Sequence, residues 1–450
     1  MKPKRIVVLN LSETENDPRV RRFCSALGKA GHKVVAVNPR RDHAEARSQA
    51  DGFEIVRVPD LTSSMERELE ATVAQAPSVA KLMETVMPLL TRHFSIRERV
   101  QHRLQRKFLK GVTAASARTG LRLKIGRRIA ARTEVKPIVE AWRLRWLILG
   151  GLTLTFEGRK HNPDIVWSND SNTLLPGLAL RDTAGAKFVF DAHEAFTEQL
   201  PPGQESESTL KLYRLLESTI LPYTDARCTV CDAVGSFYSE RYSAKPFTTI
   251  RNVPSRRFLV EPDLLKRRNS PRIAIYQGAY FRYRGLEPLI EATKYMRDTV
   301  LHLRGVGEYE QDLRRLAEDV KADDRLRFLP AVKVDDLVEG ASHADIGLNM
   351  FPSLCLNTSF ALPNKFFEYL MGGLATASSD LVELRAHTER YGTGVLVPSL
   401  EPEVIAEHLD ALSRDGDRLD GYRETAWKHA RDELNWETEQ ARLFSLIEAL

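Results

Sequence analysis

Two short stretches of this 450-residue chain carry polar groups in patterns suited to an anionic ligand. In Gly278-Ala279-Tyr280-Phe281-Arg282-Tyr283-Arg284-Gly285-Leu286-Glu287, a predicted strand ends in glycine, a short loop follows, and Arg284-Gly285 leads into a predicted helix. Backbone N–H groups at that helix start, with the guanidiniums of Arg282 and Arg284, would hold a diphosphate. Two solvated loop arginines are the plain alternative. In the second stretch, Asn364, Lys365 and Glu368 sit among aromatics at the start of one predicted helix. Glu368 follows Asn364 by one turn, so both face one spot; a carboxylate there can accept both hydroxyls of a ribose while Lys365 meets phosphate. Phe366, Phe367, Leu370 and Met371 on the same helix read as core.

The elements that must position these groups alternate along the chain. Arg5 to Asn10 is a β-branched run, and Asp17-Pro18 has the form of an N-cap followed by proline in the first helical turn. Val20, Phe23, Cys24 and Leu27 recur at helical spacing, Gly31 stops the helix, and Lys33 to Val37 reads as the next strand. The alternation resumes with strand 164–168, helix 174–180, strand 187–191, helix 210–221 and strand 226–230. After a basic, proline-containing stretch from Pro262 to Pro271 a second series begins, with strand 273–276, helix 286–296 and strand 300–304, and it runs out to Val397. The reading is α/β: two Rossmann-like doubly wound domains, 1–260 and 261–425, facing a cleft, with a final helix near 422–449 that could return to the first domain.

A helical insertion, roughly Leu61 to Arg159, interrupts the first domain. From Arg92 to Lys136 it has fourteen Lys or Arg against two acids, Glu98 and Glu134, interleaved with Phe94, Ile96, Val100, Leu104, Phe108 and Leu109. Such a basic amphipathic stretch suits an anionic lipid surface; a solvated helical hairpin and nucleic acid are the other readings. The chain's net charge of +5 is small for nucleic acid, which is not an expected partner.

Composition, 42% hydrophobic and 28% charged, is that of a globular protein and argues against long disorder. Four cysteines, Cys24, Cys228, Cys231 and Cys355, are too few for a disulfide framework, and the C-x-x-C of Cys228 and Cys231 lacks a second pair to complete a zinc site; both read as buried strand thiols. The apolar run Trp146 to Phe156 is shorter than the ~20 residues a bilayer requires, and the N-terminus enters a strand without an apolar leader. A cytoplasmic location follows, with peripheral attachment to the inner membrane face as an option.

Taken together, the stretch from Asn357 to Leu374 resembles the donor-binding segment of retaining glycosyltransferases of family 4, which have the GT-B fold. Asn16-Asp17-Pro18-Arg19-Val20-Arg21-Arg22, Phe190-Asp191-Ala192-His193-Glu194, Ile250-Arg251-Asn252-Val253-Pro254 and Gly305-Val306-Gly307 resemble that family in the same order. The resemblance implies that Glu368 binds the nucleotide ribose, that Arg284 takes the place of a diphosphate lysine, and that Arg282 stands near where its arginine partner acts. Gly278, Gly305, Asn357, Asn364 and Lys365 complete the implied donor site. His193 would lie near the transferred sugar at a carboxyl strand end, and Asp17, Arg19, Arg22 and Glu194 would face the acceptor. Asp17 is equally an N-cap. The family's first glutamate has Phe360 in its place here, so its contribution near the donor sugar must come from elsewhere, with Asn357, Thr358 and Ser359 as candidates; Ala279 replaces the loop arginine.

The expected reaction is metal-independent transfer of a hexose from a UDP-, GDP- or ADP-sugar, without a cofactor, to a lipid-linked or polysaccharide acceptor. Positive charge on a leaving diphosphate is what such a transfer requires. A sugar-nucleotide epimerase and a non-catalytic sugar-nucleotide-binding scaffold at the membrane are the competing readings.

Overall fold

Two sheets account for the described strands. The first has the order β3-β4-β2-β1-β5-β6-β7-β8, from β1 (Arg5–Leu9), β2 (Lys33–Pro39), β3 (Arg47–Ala50), β4 (Phe53–Val58), β5 (Ile165–Asn169), β6 (Lys187–Ala192), β7 (Ala226–Thr229) and β8 (Thr248–Thr249). Every pairing is parallel except the edge strand β3 on β4. The second has the order β11-β10-β9-β12-β13-β14, all parallel, from β9 (Arg272–Gln277), β10 (Thr299–Arg304), β11 (Leu326–Leu329), β12 (Ile346–Asn349), β13 (Ala375–Ser379) and β14 (Gly394–Val397). The computed structural model describes residues 2–11, 14, 17–39, 46–58, 151, 153–201, 204–205, 207–261, 269–322 and 324–450. Asn16, most of the expected insertion with its basic stretch Arg92 to Lys136, and residues 262–268 lie outside the described residues.

The two-residue period of the strands explains why both faces of the first sheet are covered. Val7, Leu9, Val35, Val37, Val166, Phe188 and Phe190 enter one core, and Ile6, Val8, Val34, Ala36, Ile165, Trp167 and Val189 enter the other. Asp17 caps the helix Pro18–Lys29, its carboxylate accepting from the N–H groups of Arg19 (3.0 Å) and Val20 (3.1 Å). Residues 153–159, at the end of the expected insertion, are helical, and Leu154 is buried in the first sheet's core.

Three local expectations are corrected. The single final helix is two, Gly416–Asp432 and Trp436–Glu448, because the Asn435 side chain accepts from Thr438 N–H (3.1 Å) and starts a new helix. The second of these places Trp436, Leu443, Leu446 and Ile447 on the first sheet, with Trp436 5.5 Å from Phe23 between ring centres. The helix after the second-sheet loop is seven residues, Leu286–Ala292, shorter than its apolar pattern suggests. Cys231 is not in a strand but precedes the helix Asp232–Tyr242; it and Cys228 are buried free thiols.

In each sheet the first strand, β1 or β9, is flanked by its successor on one side and a later strand on the other, so the order reverses beside it. Crevices at the carboxyl ends of such reversals are where doubly wound sheets take ligands. Here the two crevices face each other, since residues beyond β6 bond residues beyond β12.

Candidate active site

The carboxyl ends of β5 and β6 bring Asn169, Asp170, Asp191 and His193 together. Arg19, the second residue of the first helix, reaches Asp191 with a two-pronged pair, Nε to Oδ2 at 3.0 Å and Nη2 to Oδ1 at 2.7 Å, and its Nη1 donates to the Ile250 carbonyl. Its guanidinium also lies 4.4 Å from the Phe23 ring centre. Arg19 is therefore buried structure rather than the acceptor contact expected from the sequence. Trp167 Nε1 donates to Asp191 Oδ2 (3.3 Å). Burial opposes ionisation of Asp191, but Arg19 and His193 outweigh it and hold the carboxyl well below its ordinary range.

His193 has 17% of its side chain exposed and both ring nitrogens engaged. Nδ1 is 3.4 Å from Asp170 Oδ2, and Nε2 is 3.2 Å from Asn169 Oδ1 and 3.5 Å from Asp191 Oδ2. Burial works against the charged ring, yet the carboxylates of Asp170 and Asp191 push the imidazole up to about 9. At neutral pH it is a cation that donates, not a base. Glu194, the next residue, has its carboxyl pushed up to about 7 by burial and by the charge of Asp170, against the pull of His193, Asn357 and Gln199.

In the second crevice, β9 ends at Gln277 and leaves the sheet through Gly278, whose φ of 149° favours glycine. Gly305 stands against it: a Cβ at 305 would lie 1.9 Å from the Gly278 carbonyl oxygen. These glycines let the loops after β9 and β10 touch. The helix Asn364–Met371 then presents Lys365 and Glu368 to that end of β9. Lys365 is 8% exposed, and its Nζ lies 3.6 Å from the Tyr276 ring centre and 4.9 Å from that of Phe351. Arg284 lies over the same Phe351 ring at 5.7 Å. Among the described residues no carboxylate is within ion-pair distance of Lys365 or Arg284. Burial and the neighbouring Arg284 drive the Lys365 ammonium well below its ordinary value, with Glu368 opposing. Gln277 Nε2 donates to Glu368 Oε2 (3.4 Å), while Gln277 Oε1 is buried without a partner. Burial raises the Glu368 carboxyl; Gln277, Arg22 and Lys365 pull it back.

The predicted residues thus divide. Arg284, Lys365, Glu368, Gly278 and Gly305 come together, with Asn364 exposed at the first position of the helix. Arg282 does not join them: it is exposed, lies 4.4 Å from the Tyr309 ring centre and pairs with Asp312 at 3.2 Å. Positive charge in this crevice comes first from Arg284, since burial disfavours the charged form of Lys365. Arg22 bonds Asn252 Oδ1 (2.6 Å) and lies 5.6 Å from the Trp436 ring centre. Burial lowers its guanidinium to about 10, with the Glu368 carboxylate opposing, so this first-domain cation faces the second crevice. Asn357 bridges the domains: its Oδ1 accepts from Ala195 N–H (2.9 Å) and its Nδ2 donates to Glu194 Oε2 (3.2 Å). Sequence reasoning missed Asp170, Gln277 and Tyr276, which lie at strand ends and carry no motif signal beyond that position. Among the described residues there is no group of three or more His, Cys, Asp or Glu arranged to hold a metal ion, and no helix long and apolar enough to cross a membrane.

Two doubly wound α/β domains with opposed ligand crevices, and a final helix that returns to the first, define the GT-B fold of glycosyltransferases. A family profile described as glycosyl transferase 4-like domain matches residues 17–252, more than half of the chain, and one described as glycosyl transferases group 1 matches residues 271–415. The chain belongs to the group 1 glycosyltransferases. Solved structures similar to it include sucrose-phosphate synthase from Thermosynechococcus elongatus, with a TM-score of 0.64 and 15% identity over 99% of this chain and 98% of that one. Anabaena HepE in complex with UDP-glucose has a TM-score of 0.62 and 11% identity over 99% and 100%. A UDP-forming α,α-trehalose-phosphate synthase from Burkholderia vietnamiensis has a TM-score of 0.57 and 13% identity over 98% and 96%. At these identities the likeness concerns the fold. A search of curated protein sequences found no match.

Proposed function

We propose that this glycosyltransferase moves a hexose from a nucleoside diphosphate sugar to a hydroxyl of a lipid-linked or polysaccharide acceptor, with retention of configuration and without a metal ion. The observation that carries the reading is Lys365. A buried amine held against two aromatic rings, beside a guanidinium and with no carboxylate at ion-pair distance among the described residues, is a site whose charged form is favoured when a ligand brings the counter-ion. A diphosphate supplies that counter-ion, and Glu368, one turn along and oriented by Gln277, accepts the ribose hydroxyls.

In this reading the bond from the anomeric carbon to the diphosphate oxygen breaks while Lys365 and Arg284 stabilise the charge that develops on the leaving group. The acceptor oxygen attacks from the same face, and its proton passes to the departing phosphate. His193, whose charged form the carboxylates of Asp170 and Asp191 favour, takes no proton from the acceptor in this reading and turns its charge to the transferred sugar. The one Asp-x-Asp of the second domain, Asp415-Gly416-Asp417, starts the helix Gly416–Asp432, where the Asp415 carboxylate accepts from Arg418 N–H (3.1 Å). It lies beside Arg272 at the opposite end of β9 from Lys365, so it is not placed to hold a metal–diphosphate complex. Activity should therefore survive EDTA; full loss restored by manganese would overturn this part. The basic stretch Arg92 to Lys136 supports attachment to an anionic membrane, which liposome flotation with and without that stretch would test.

The decisive experiment is a donor screen that measures nucleotide release from UDP-, GDP- and ADP-sugars. UDP-glucose comes first, because HepE, of the same fold, has been solved with it. Release from one class, abolished in Glu368→Ala, is expected. No release and no binding of any nucleotide sugar would sink the reading.

A further inference from the structure

In the family that this chain resembles, a glutamate close to the donor sugar occupies the position of Phe360. Phe360 cannot replace it, because its ring packs on the first domain's core, 6.3 Å from that of Phe237. Nor can a neighbour: between Asp345 and Glu368 the sequence has no acidic residue. If a carboxyl reads the sugar here, it must enter from another segment.

One does. Glu194, beyond the end of β6 in the first domain, meets the short helix Leu356–Ser359 that precedes Phe360. Asn357 Nδ2 donates to Glu194 Oε2 at 3.2 Å, and Gln199 Nε2 donates to Oε1. The junction is fastened on both sides, by Ala195 N–H to Asn357 Oδ1 (2.9 Å) and by Cys355 Sγ to the Gln199 carbonyl (3.3 Å). From the first domain, Tyr238 Oη donates to the Glu194 carbonyl (3.2 Å).

We infer that Glu194, reaching across from the first domain and oriented by Asn357, recognises the hydroxyls of the transferred sugar in place of the glutamate absent at 360. The assignment rests on the glycosyl-transfer reading above and moves Glu194 from the acceptor to the donor. The chemistry suits it. Each carboxyl oxygen keeps a lone pair after accepting one amide N–H, so both can take a sugar hydroxyl. A carboxyl that titrates near neutrality also donates in its protonated form, matching hydroxyls that both give and accept. Asn357 is a positioning residue here: it holds the carboxyl without reaching the sugar itself. A site built to bond a hydroxyl discriminates strongly against the analogue that lacks it, because its polar groups are left unpaired.

Calorimetry with UDP and UDP-glucose, then with GDP and GDP-mannose, tests this without requiring turnover. Wild type should bind the sugar nucleotide differently from the bare nucleotide, and that increment should shrink about tenfold in Glu194→Gln and Glu194→Ala, with bare-nucleotide affinity unchanged. Asn357→Ala should shift it in the same direction by less. In steady-state kinetics the same variants should lose the preference among 3-deoxy, 4-deoxy and parent donors and keep the acceptor KM. A wild-type increment retained in both Glu194 variants, or a raised acceptor KM with donor preference intact, returns Glu194 to the acceptor and overturns the inference alone. Failure of the wild type to bind any sugar nucleotide would overturn the underlying reading as well.

Discussion

At the carboxyl ends of the first sheet, Arg19, Asp191, His193 and Asp170 answer one another's charges, whereas at the second sheet Lys365 and Arg284 stand together against aromatic rings. Asp191 and Lys365 are both buried, so between these two the difference is one of completeness. Removing a member of the first set leaves its partner uncompensated. Removing Lys365 takes away a group that burial already drives toward its neutral form and that has no carboxylate at ion-pair distance among the described residues. The first crevice is organised by the chain; in the second, on the function proposed above, the anion comes with the donor.

Substitutions on the two sides should therefore fail in opposite ways. Arg19→Met leaves the buried Asp191 carboxylate unpaired and should cost about 3–5 kcal/mol of unfolding free energy, read from urea denaturation. A loss below about 1 kcal/mol would mean that the pair is not what holds the first crevice. Lys365→Met should leave the melting temperature unchanged or higher while nucleotide-sugar turnover falls about 10²–10³-fold. Destabilisation without loss of turnover would make Lys365 part of the core and remove the contrast.

A pH titration gives a smaller effect of known sign. The His193 imidazole is raised from 6.5 to about 9 in the folded chain, so its contribution is fully present below about 6.5 and disappears as pH rises through about 9. The urea midpoint of the wild type should fall more between those pH values than that of His193→Gln; parallel profiles would show that the carboxylates do not hold the charged ring. The smallest change is expected at Asp17. Its alanine variant should lose about 1 kcal/mol, as for any N-cap, with donor kinetics unaltered. An altered acceptor KM in that variant would restore its expected place at the acceptor.

Much of the second crevice was legible before any fold was known. Gly278, Arg284, Lys365 and Glu368 lie in two stretches, each placed by a strand end or a single helical turn, and local periodicity carries that information. Arg282 reads like Arg284 in sequence and was misplaced, because its ring partner Tyr309 and its carboxylate Asp312 come from the loop and helix beyond β10. In the first crevice almost nothing local distinguishes a ligand contact from a structural ion pair.

What the sequence by itself determined is the alternation of strands and helices, the Asp17 cap and the one-turn spacing that sets Glu368 behind Asn364, since each depends on neighbours within a turn or a pleat. Only the tertiary structure decided that Arg19 turns inward to Asp191, 172 positions away, that the last helix covers the first sheet, and that Glu194 meets Asn357 across 163 residues. Those pairings depend on which strand ends face each other once two sheets are assembled, and no local pattern records the far partner.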